Sequence, residues 1–264
     1  MLKARAIVKK MKLSDFVNVM NRLAPPETAL GFDNVGLLIG TDRSDIKRVL
    51  VALDCTCAVA EEAALVGADL VLTHHPIIFG GVKRILPDDP HSAVVYKLIR
   101  SNIAMFAAHT NLDAADGGVN TALCSVLGID NDVVPVGSEG IMRIGNLPEP
   151  ILLDDFAKMC ELRLCTKVHV SGENRLVQRV AVMGGSGGGD YALAHENGAD
   201  VYLTGECKHS QAIEAMVLGL PIVIAGHYET EKSVLIPLIN YLQNNTDGVE
   251  YILAKADRAV FRSV

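Results

Sequence analysis

The chain is 264 residues long, half of them hydrophobic, with a formal net charge of −7. That is ample for one large domain or two small ones with a core of their own, and no apolar run approaches the roughly eighteen residues needed to span a membrane. The acidic balance argues against nucleic acid as a bulk electrostatic partner, a local basic patch aside.

The first twelve residues carry Lys3, Arg5, Lys9, Lys10 and Lys12 with no acid. A transit peptide shares that charge, but no Ser precedes Ser14, so the stretch reads as a ragged extension ahead of a helix. Leu13, Phe16, Val17, Met20 and Leu23 have helical spacing, with Ser14 as the expected cap and Pro25-Pro26 as the stop. Residues 31–40 mix turn chemistry with a short strand. Arg48–Asp54 reads as a strand, Ala58–Val66 as an Ala-rich helix with Gly67 as its C-cap, and Asp69–Thr73 as a buried strand. This is a βαβ unit, which implies parallel strands and a right-handed crossover. It runs into His74-His75-Pro76, where Pro76 cannot donate to a ladder and the strand stops. Two imidazoles thus sit at the carboxyl end of a strand, where open α/β sheets place their ligands. Because successive strand residues face opposite ways, the two rings are expected to serve two centres rather than chelate one ion. Asp154–Leu164 reads as a further helix. The six cysteines (Cys55, Cys57, Cys124, Cys160, Cys165, Cys207) show no CxxC pairing. Their apolar neighbours suggest buried, reduced thiols in a reducing compartment, taken as cytoplasmic. Cys55 and Cys57 are expected on one face of a strand, a weak metal pair on their own.

The same unit returns later in the chain. Arg48-Val-Leu-Val matches Arg179-Val-Ala-Val, and Gly67-Ala-Asp-Leu-Val-Leu-Thr73 matches Gly198-Ala-Asp-Val-Tyr-Leu-Thr204, both 131 positions apart. His74-His75 then corresponds to Gly205-Glu206. A second pair, Ile103 to Asp113 and Pro221 to Glu231, consists of apolar strands ending in His-x-x-x-carboxylate, 118 positions apart. The shift between the two offsets places extra chain in the first copy, within residues 77–92. The expected fold class is therefore α/β: two related halves with mainly parallel strands, residues 1–136 and 151–264, facing each other across a pseudo-two-fold axis. The Gly-, Pro- and charge-rich residues 137–150 are the expected linker, and the metal site is expected between the halves.

Four strand ends supply polar groups: His74 and His75; His109 and Asp113; Glu206; His227 and Glu231. Imidazoles and carboxylates without cysteine suit a borderline divalent ion such as Zn, Fe, Mn, Ni or Co. The set exceeds what one tetrahedral site needs, which points to two ions per chain, bridged by a carboxylate about 3.5–4 Å apart and activating a shared water. His227 and Glu231, like His109 and Asp113, are four apart, and point one way where a helix begins. His91, His169 and His195 read as structural or solvated. Glu206 and His209 read as lining the pocket or bonding to backbone, with lining the favoured reading. Gly184–Gly189 reads as a tight turn near the metals or a phosphate cradle, although it lacks the Lys-Ser/Thr of a P-loop. Asp54 is either an acceptor for a ligand histidine or a cap.

These residues resemble the Nif-three-like family (NGG-one-interacting factor three-like proteins), some of which carry the name GTP cyclohydrolase 1 type 2. The resemblance rests on Phe32-Asp-Asn-Val-Gly-Leu-Leu-Ile-Gly40, Leu72-Thr-His-His-Pro76, Ala108-His-Thr-Asn-Leu-Asp113, Gly184-Gly-Ser-Gly-Gly188, Leu203-Thr-Gly-Glu206 and Ala225-Gly-His-Tyr-Glu-Thr-Glu231, in the family's order over nearly the whole chain. It implies a dinuclear metal centre held by His74, His75, Asp113, His227 and Glu231, with Glu231 bridging. It also implies a homohexamer built as a pair of trimers. His109 is not usually counted among the ligands, so it is read, with Glu231, as catalytic: a neighbour of the ligands or a proton carrier. Many members have Asp where this chain has Glu206, and Lys-Tyr-His where it has Lys208-His209; neither departure touches the five ligands. The implied activity is that of a metal-dependent hydrolase attacking the purine C8 of GTP, or a related nucleotide or phosphoester. The competing readings are a non-enzymatic metal-binding hexamer that regulates or scaffolds other proteins, and a DNA-encircling ring, which the acidic charge disfavours.

Overall fold

A computed structural model describes residues 11–262. The basic stretch as far as Lys10 lies outside the described residues. The chain forms two compact units: one comprises the residues up to Asn111 together with Leu238–Asp257, the other Leu112–Pro237 with the chain from Arg258.

In the first unit β1 (Met11–Lys12) leads into α1 (Leu13–Leu23), followed by β2 (Gly36–Ile39), β3 (Asp45–Ile46), β4 (Arg48–Ala52), α2 (Cys57–Val66), β5 (Leu70–Thr73), α3 (Ala93–Arg100) and β6 (Ala104–Ala107). The division between units falls inside α4 (Thr110–Ala114). The second unit continues with α5 (Val119–Val126), β7 (Asn131–Val136), β8 (Met142–Leu152), α6 (Leu153–Leu164), β9 (His169–Val170), β10 (Leu176–Met183), α7 (Tyr191–Glu196), β11 (Val201–Thr204), α8 (His209–Val217), β12 (Ile222–Ile224) and α9 (His227–Glu231). Within α10 (Leu235–Asn245) the chain passes back to the first unit, which β13 (Glu250–Leu253) completes.

The first unit is built on a five-stranded sheet, β13-β4-β5-β6-β2, parallel except for its β2 edge. Residues of β5 and β6 are buried without exception, the mark of a strand covered on both faces. Leu50, Ala52, Val71 and Met105 pack with Val59, Ala60 and Ala63 of α2 and Val94, Val95 and Leu98 of α3. Phe16 of α1 meets Phe106 edge-on, ring centroids 6.0 Å apart. The second unit has a six-stranded sheet, β7-β8-β10-β11-β12-β9, with parallel β10-β11-β12 at its heart and antiparallel strands on both sides. Val180, Val182, Val201 and Leu203 face α5 and α6, while Ala181, Tyr202 and Ile222 face Ala194 of α7 and Ala215 of α8.

The repeated βαβ unit is matched in detail. Val49 pairs with Leu70 and Ala52 with Thr73; 131 residues on, Val180 pairs with Val201 and Met183 with Thr204. Asp69 accepts from the amides of Lys47 and Arg48, and Asp200 from those of Gln178 and Arg179. The Arg48 side chain donates to the Val66 carbonyl, and Arg179 to that of Asn197. The second offset needs correcting. Ala107 lies opposite Thr73 and Ile224 opposite Thr204, so the strands are 117 apart rather than 118. Gly226, at φ +87°, is an extra residue placed just before His227. The extra chain in the first copy lies where expected, between β5 and α3.

Other expectations also change. Residues 137–150 are not a linker: most of them belong to β8, whose Met142, Ile144 and Leu147 are core residues. Helix α1 is preceded by Lys12 rather than capped by Ser14, while α2 is capped by the Thr56 hydroxyl and closed by Gly67 at φ +66°. Cys57 opens α2 instead of sharing a strand face with Cys55. Burial pushes the thiols of Cys55, Cys124 and Cys160 up to about 12, whereas Cys165 is exposed and Cys57 and Cys207 are half-buried. Among the described residues, no helix is long and apolar enough to cross a membrane.

Candidate metal centre

In the first unit, the ends of β5 and β6 bring three histidines together. One ring nitrogen from each of His74, His75 and His109 lies within 4.8 Å of the others, and the rings of His74 and His75 are 4.9 Å apart. The alternation expected for the pair is broken because β5 ends at Thr73, whose hydroxyl donates to the His75 carbonyl (2.7 Å) and turns the chain. Each ring is held from behind. His74 Nδ1 is 2.9 Å from the Ala108 carbonyl oxygen, His75 Nδ1 2.9 Å from Asp54 Oδ1, and His109 Nδ1 2.9 Å from Asp33 Oδ1. A carbonyl oxygen can only accept, so His74 carries a proton on Nδ1, which is the tautomer that leaves the lone pair of a neutral imidazole on Nε2. The carboxylates select the same tautomer for His75 and His109. Asp54, left open between two readings, therefore serves His75.

Asp33 belongs to the Phe32–Gly40 stretch, and its side chain is fully buried. It also accepts from the amide (3.0 Å) and hydroxyl of Thr110, at the start of α4. Burial alone would raise its carboxyl, but the hydrogen bonds from Thr110 and His109 bring it below the usual range. Burial and neighbouring His74 push His109 below the ordinary imidazole value, against the pull of Asp33. The partner of Asp33, His109, lies 76 residues away, which no local pattern shows.

In the second unit, His227 is the first residue of α9 and Glu231 the last, as their spacing required. His227 Nε2 lies 3.1 Å from Glu231 Oε2, and Glu231 is buried. On the other side of the ring, His227 Nδ1 is 3.4 Å from Glu206 Oε1 and 3.4 Å from Ser186 Oγ, and Ser186 donates to Glu206 Oε2 (2.7 Å). Glu206 thus reaches the His227 ring at ion-pair distance and through Ser186, where Asp54 meets His75 by a direct hydrogen bond. Asp113 lies half-buried in α4. The carbonyls that end this helix, Ala114 and Ala115, accept from the buried Arg143 guanidinium at 2.7 and 3.1 Å. His209 opens α8 and is exposed, and His91, His169 and His195 are exposed as expected.

Residues 184–189 form a turn. Its first two amides are already engaged, Gly184 with Asn120 Oδ1 (2.8 Å) and Gly185 with Thr230 Oγ1 (3.1 Å), which removes them from any phosphate cradle. Gly185 has φ +61°, and a Cβ there would fall 2.1 Å from Glu231 Oε1 and 3.3 Å from His227 Nε2. The space that glycine leaves is the space the Glu231 carboxylate takes. Imidazoles locked to one tautomer, carboxylates and no thiolate form a donor set that fits a borderline divalent ion.

A family profile described as Duf34/NIF3 (NGG1p interacting factor 3) matches residues 11–259. A "GTP cyclohydrolase 1 type 2 homolog" of Clostridium perfringens is 33% identical over 262 residues, covering 96% of this chain and all of that one. One of the same name from Streptococcus pneumoniae is 34% identical over 226 residues, 83% of this chain and 85% of the relative. Among solved structures, a Staphylococcus aureus hypothetical protein, SA1388, superposes with a TM-score of 0.87 at 28% identity, covering 97% of this chain and 100% of that one. Reduced HcgD from Methanocaldococcus jannaschii superposes at 0.81 and 28% identity, over 94% and 99%.

Proposed function

Because the chain belongs to the Duf34/NIF3 family, we propose that it is a metal-dependent hydrolase in which His74, His75, Asp113, His227 and Glu231 hold two divalent ions. In this reading Glu231 would be the carboxylate that helps hold both ions, and the assembly is a homohexamer. The observation that carries it is the backing of the histidines. Ala108, Asp54 and Glu206 each sit against Nδ1 of a different ligand ring, an arrangement that raises ligand basicity and fixes ring orientation. Solvated histidines have no need of it.

Bound ions supply Lewis acidity and a nucleophile drawn from water at neutral pH. The chain's own residues do the rest. Asp33 fixes His109 with its proton on Nδ1, so that Nε2 is the atom that takes up a proton beside the ligand rings. Glu206 and Ser186 hold His227, and the Gly185 turn walls Glu231. The relatives' name supports a nucleotide substrate, with C8 of the GTP purine as the electrophile.

Purified protein loaded in turn with Zn, Mn, Fe and Co is to be given GTP, other nucleotides and generic phosphodiesters. Turnover is expected with at least one metal and is lost, by a hundredfold or more, in His74→Ala. Equal activity in the two proteins, or none on the whole panel, contradicts the hydrolase reading; tight capture of a protein partner with no turnover favours the scaffold.

A further inference from the structure

Two carboxylates of the second unit, Asp113 and Glu231, come from helices far apart in the chain, yet both are tied to one turn. Asn120, 1% exposed, stands between α4 and that turn: its Nδ2 donates to the Asp113 carbonyl oxygen (3.4 Å) and its Oδ1 accepts from the Gly184 amide (2.8 Å). Thr230, 0% exposed, takes up the next amide, with Oγ1 accepting from Gly185 at 3.1 Å. The same hydroxyl donates back into α9, to the carbonyl of Gly226 (2.8 Å) or His227 (2.9 Å). Gly205 closes the stack: a Cβ there would fall 2.6 Å from the Gly185 carbonyl oxygen and 2.8 Å from Thr230 Oγ1. Two fully buried polar side chains on successive amides of one glycine turn leave little freedom between the two ligand helices.

We propose that Asn120 and Thr230 are positioning residues that set the placement of Asp113 relative to Glu231 through the Gly184–Gly185 turn. The inference rests on the metal reading above. A packing role alone would need neither the amide group of Asn120 nor the hydroxyl of Thr230, since an isosteric apolar side chain fills the same volume. A role in placing ligands needs both.

The test is cobalt(II) titration of the full chain, read by the visible absorption band and by chelator competition, beside the thermal unfolding of metal-free protein. Thr230→Val keeps the shape and deletes the hydroxyl, and Thr230→Ser restores it; Asn120→Leu tests the other link. Thr230→Val and Asn120→Leu are each expected to weaken cobalt binding by about ten- to a hundredfold and to change the band, with Thr230→Ser within about threefold of wild type. Wild-type affinity and spectrum in either apolar variant, whatever its unfolding temperature, overturns the inference while leaving the metal reading intact. A wild-type chain that binds no cobalt overturns both.

Discussion

Gly185→Ala is expected to remove metal binding from a chain that still folds. The backbone there is left-handed at φ +61°, which costs an L-residue about 1–2 kcal/mol. The larger effect is local. The added methyl carbon would stand 2.1 Å from Glu231 Oε1, far inside contact distance, so the carboxylate proposed as a ligand must leave its place. Moving a ligand should cost at least the ten- to hundredfold in affinity that loss of an outer partner does. Gly189→Ala is the control: its nearest neighbour is the flexible end of Gln211 at 3.4 Å, and its φ is unremarkable. Chelator competition on the two variants should separate them by two orders of magnitude, with unfolding temperatures within a few degrees of each other. Equal affinities would mean that the turn does not wall the site.

Arg143→Met should give the largest loss of stability. The guanidinium is 2% exposed and donates to the carbonyls of Ala114, Ala115, Gly140 and Ile141 and to the Thr121 hydroxyl. Methionine fills much of the volume and relieves the cost of burying a charge, but it leaves several buried acceptors without a donor, at about 1–3 kcal/mol each. The net expectation is a loss of about 3–5 kcal/mol in urea unfolding with the denaturant slope unchanged, a large part of the about 5–15 kcal/mol that holds a domain together. Arg143→Lys should recover little of it, because one ammonium cannot serve carbonyls on two sides of the fork. Because Arg143 anchors the end of α4, metal affinity at Asp113 should fall along with stability. A variant of wild-type stability would show that water reaches those carbonyls.

Much of this was legible in the residues. The apolar strand running into His74-His75-Pro76 was visible because β5 is covered on both faces and therefore unbroken by polar residues. The repeat was visible because one side-chain clamp, Asp69 on the amides of residues 47 and 48, recurs as Asp200 on those of 178 and 179. Strand β8 was hidden by its own composition. Gly145 is needed where a Cβ would strike Val133 and Ile129, and Pro148 and Pro150 sit on its exposed end, so a strand read as a linker. The offset of the second repeat was misjudged by one because Gly226 was aligned as a strand residue, whereas it is the left-handed step that starts α9. Asp33, Asn120 and Thr230 gave no readable signal of their roles, since each acts on a partner 45 or more residues away that only the fold brings near. The same holds for Glu206: nothing local says that a glutamate after a strand will back a histidine two strands' length further on.

The most direct test is the metal content of the wild-type chain after reloading with zinc or manganese and exhaustive removal of loosely bound ions. The account predicts about two ions retained per chain, with a marked loss in Glu231→Gln. A chain that retains none after reloading, or that holds its ions equally well without the Glu231 carboxylate, contradicts it.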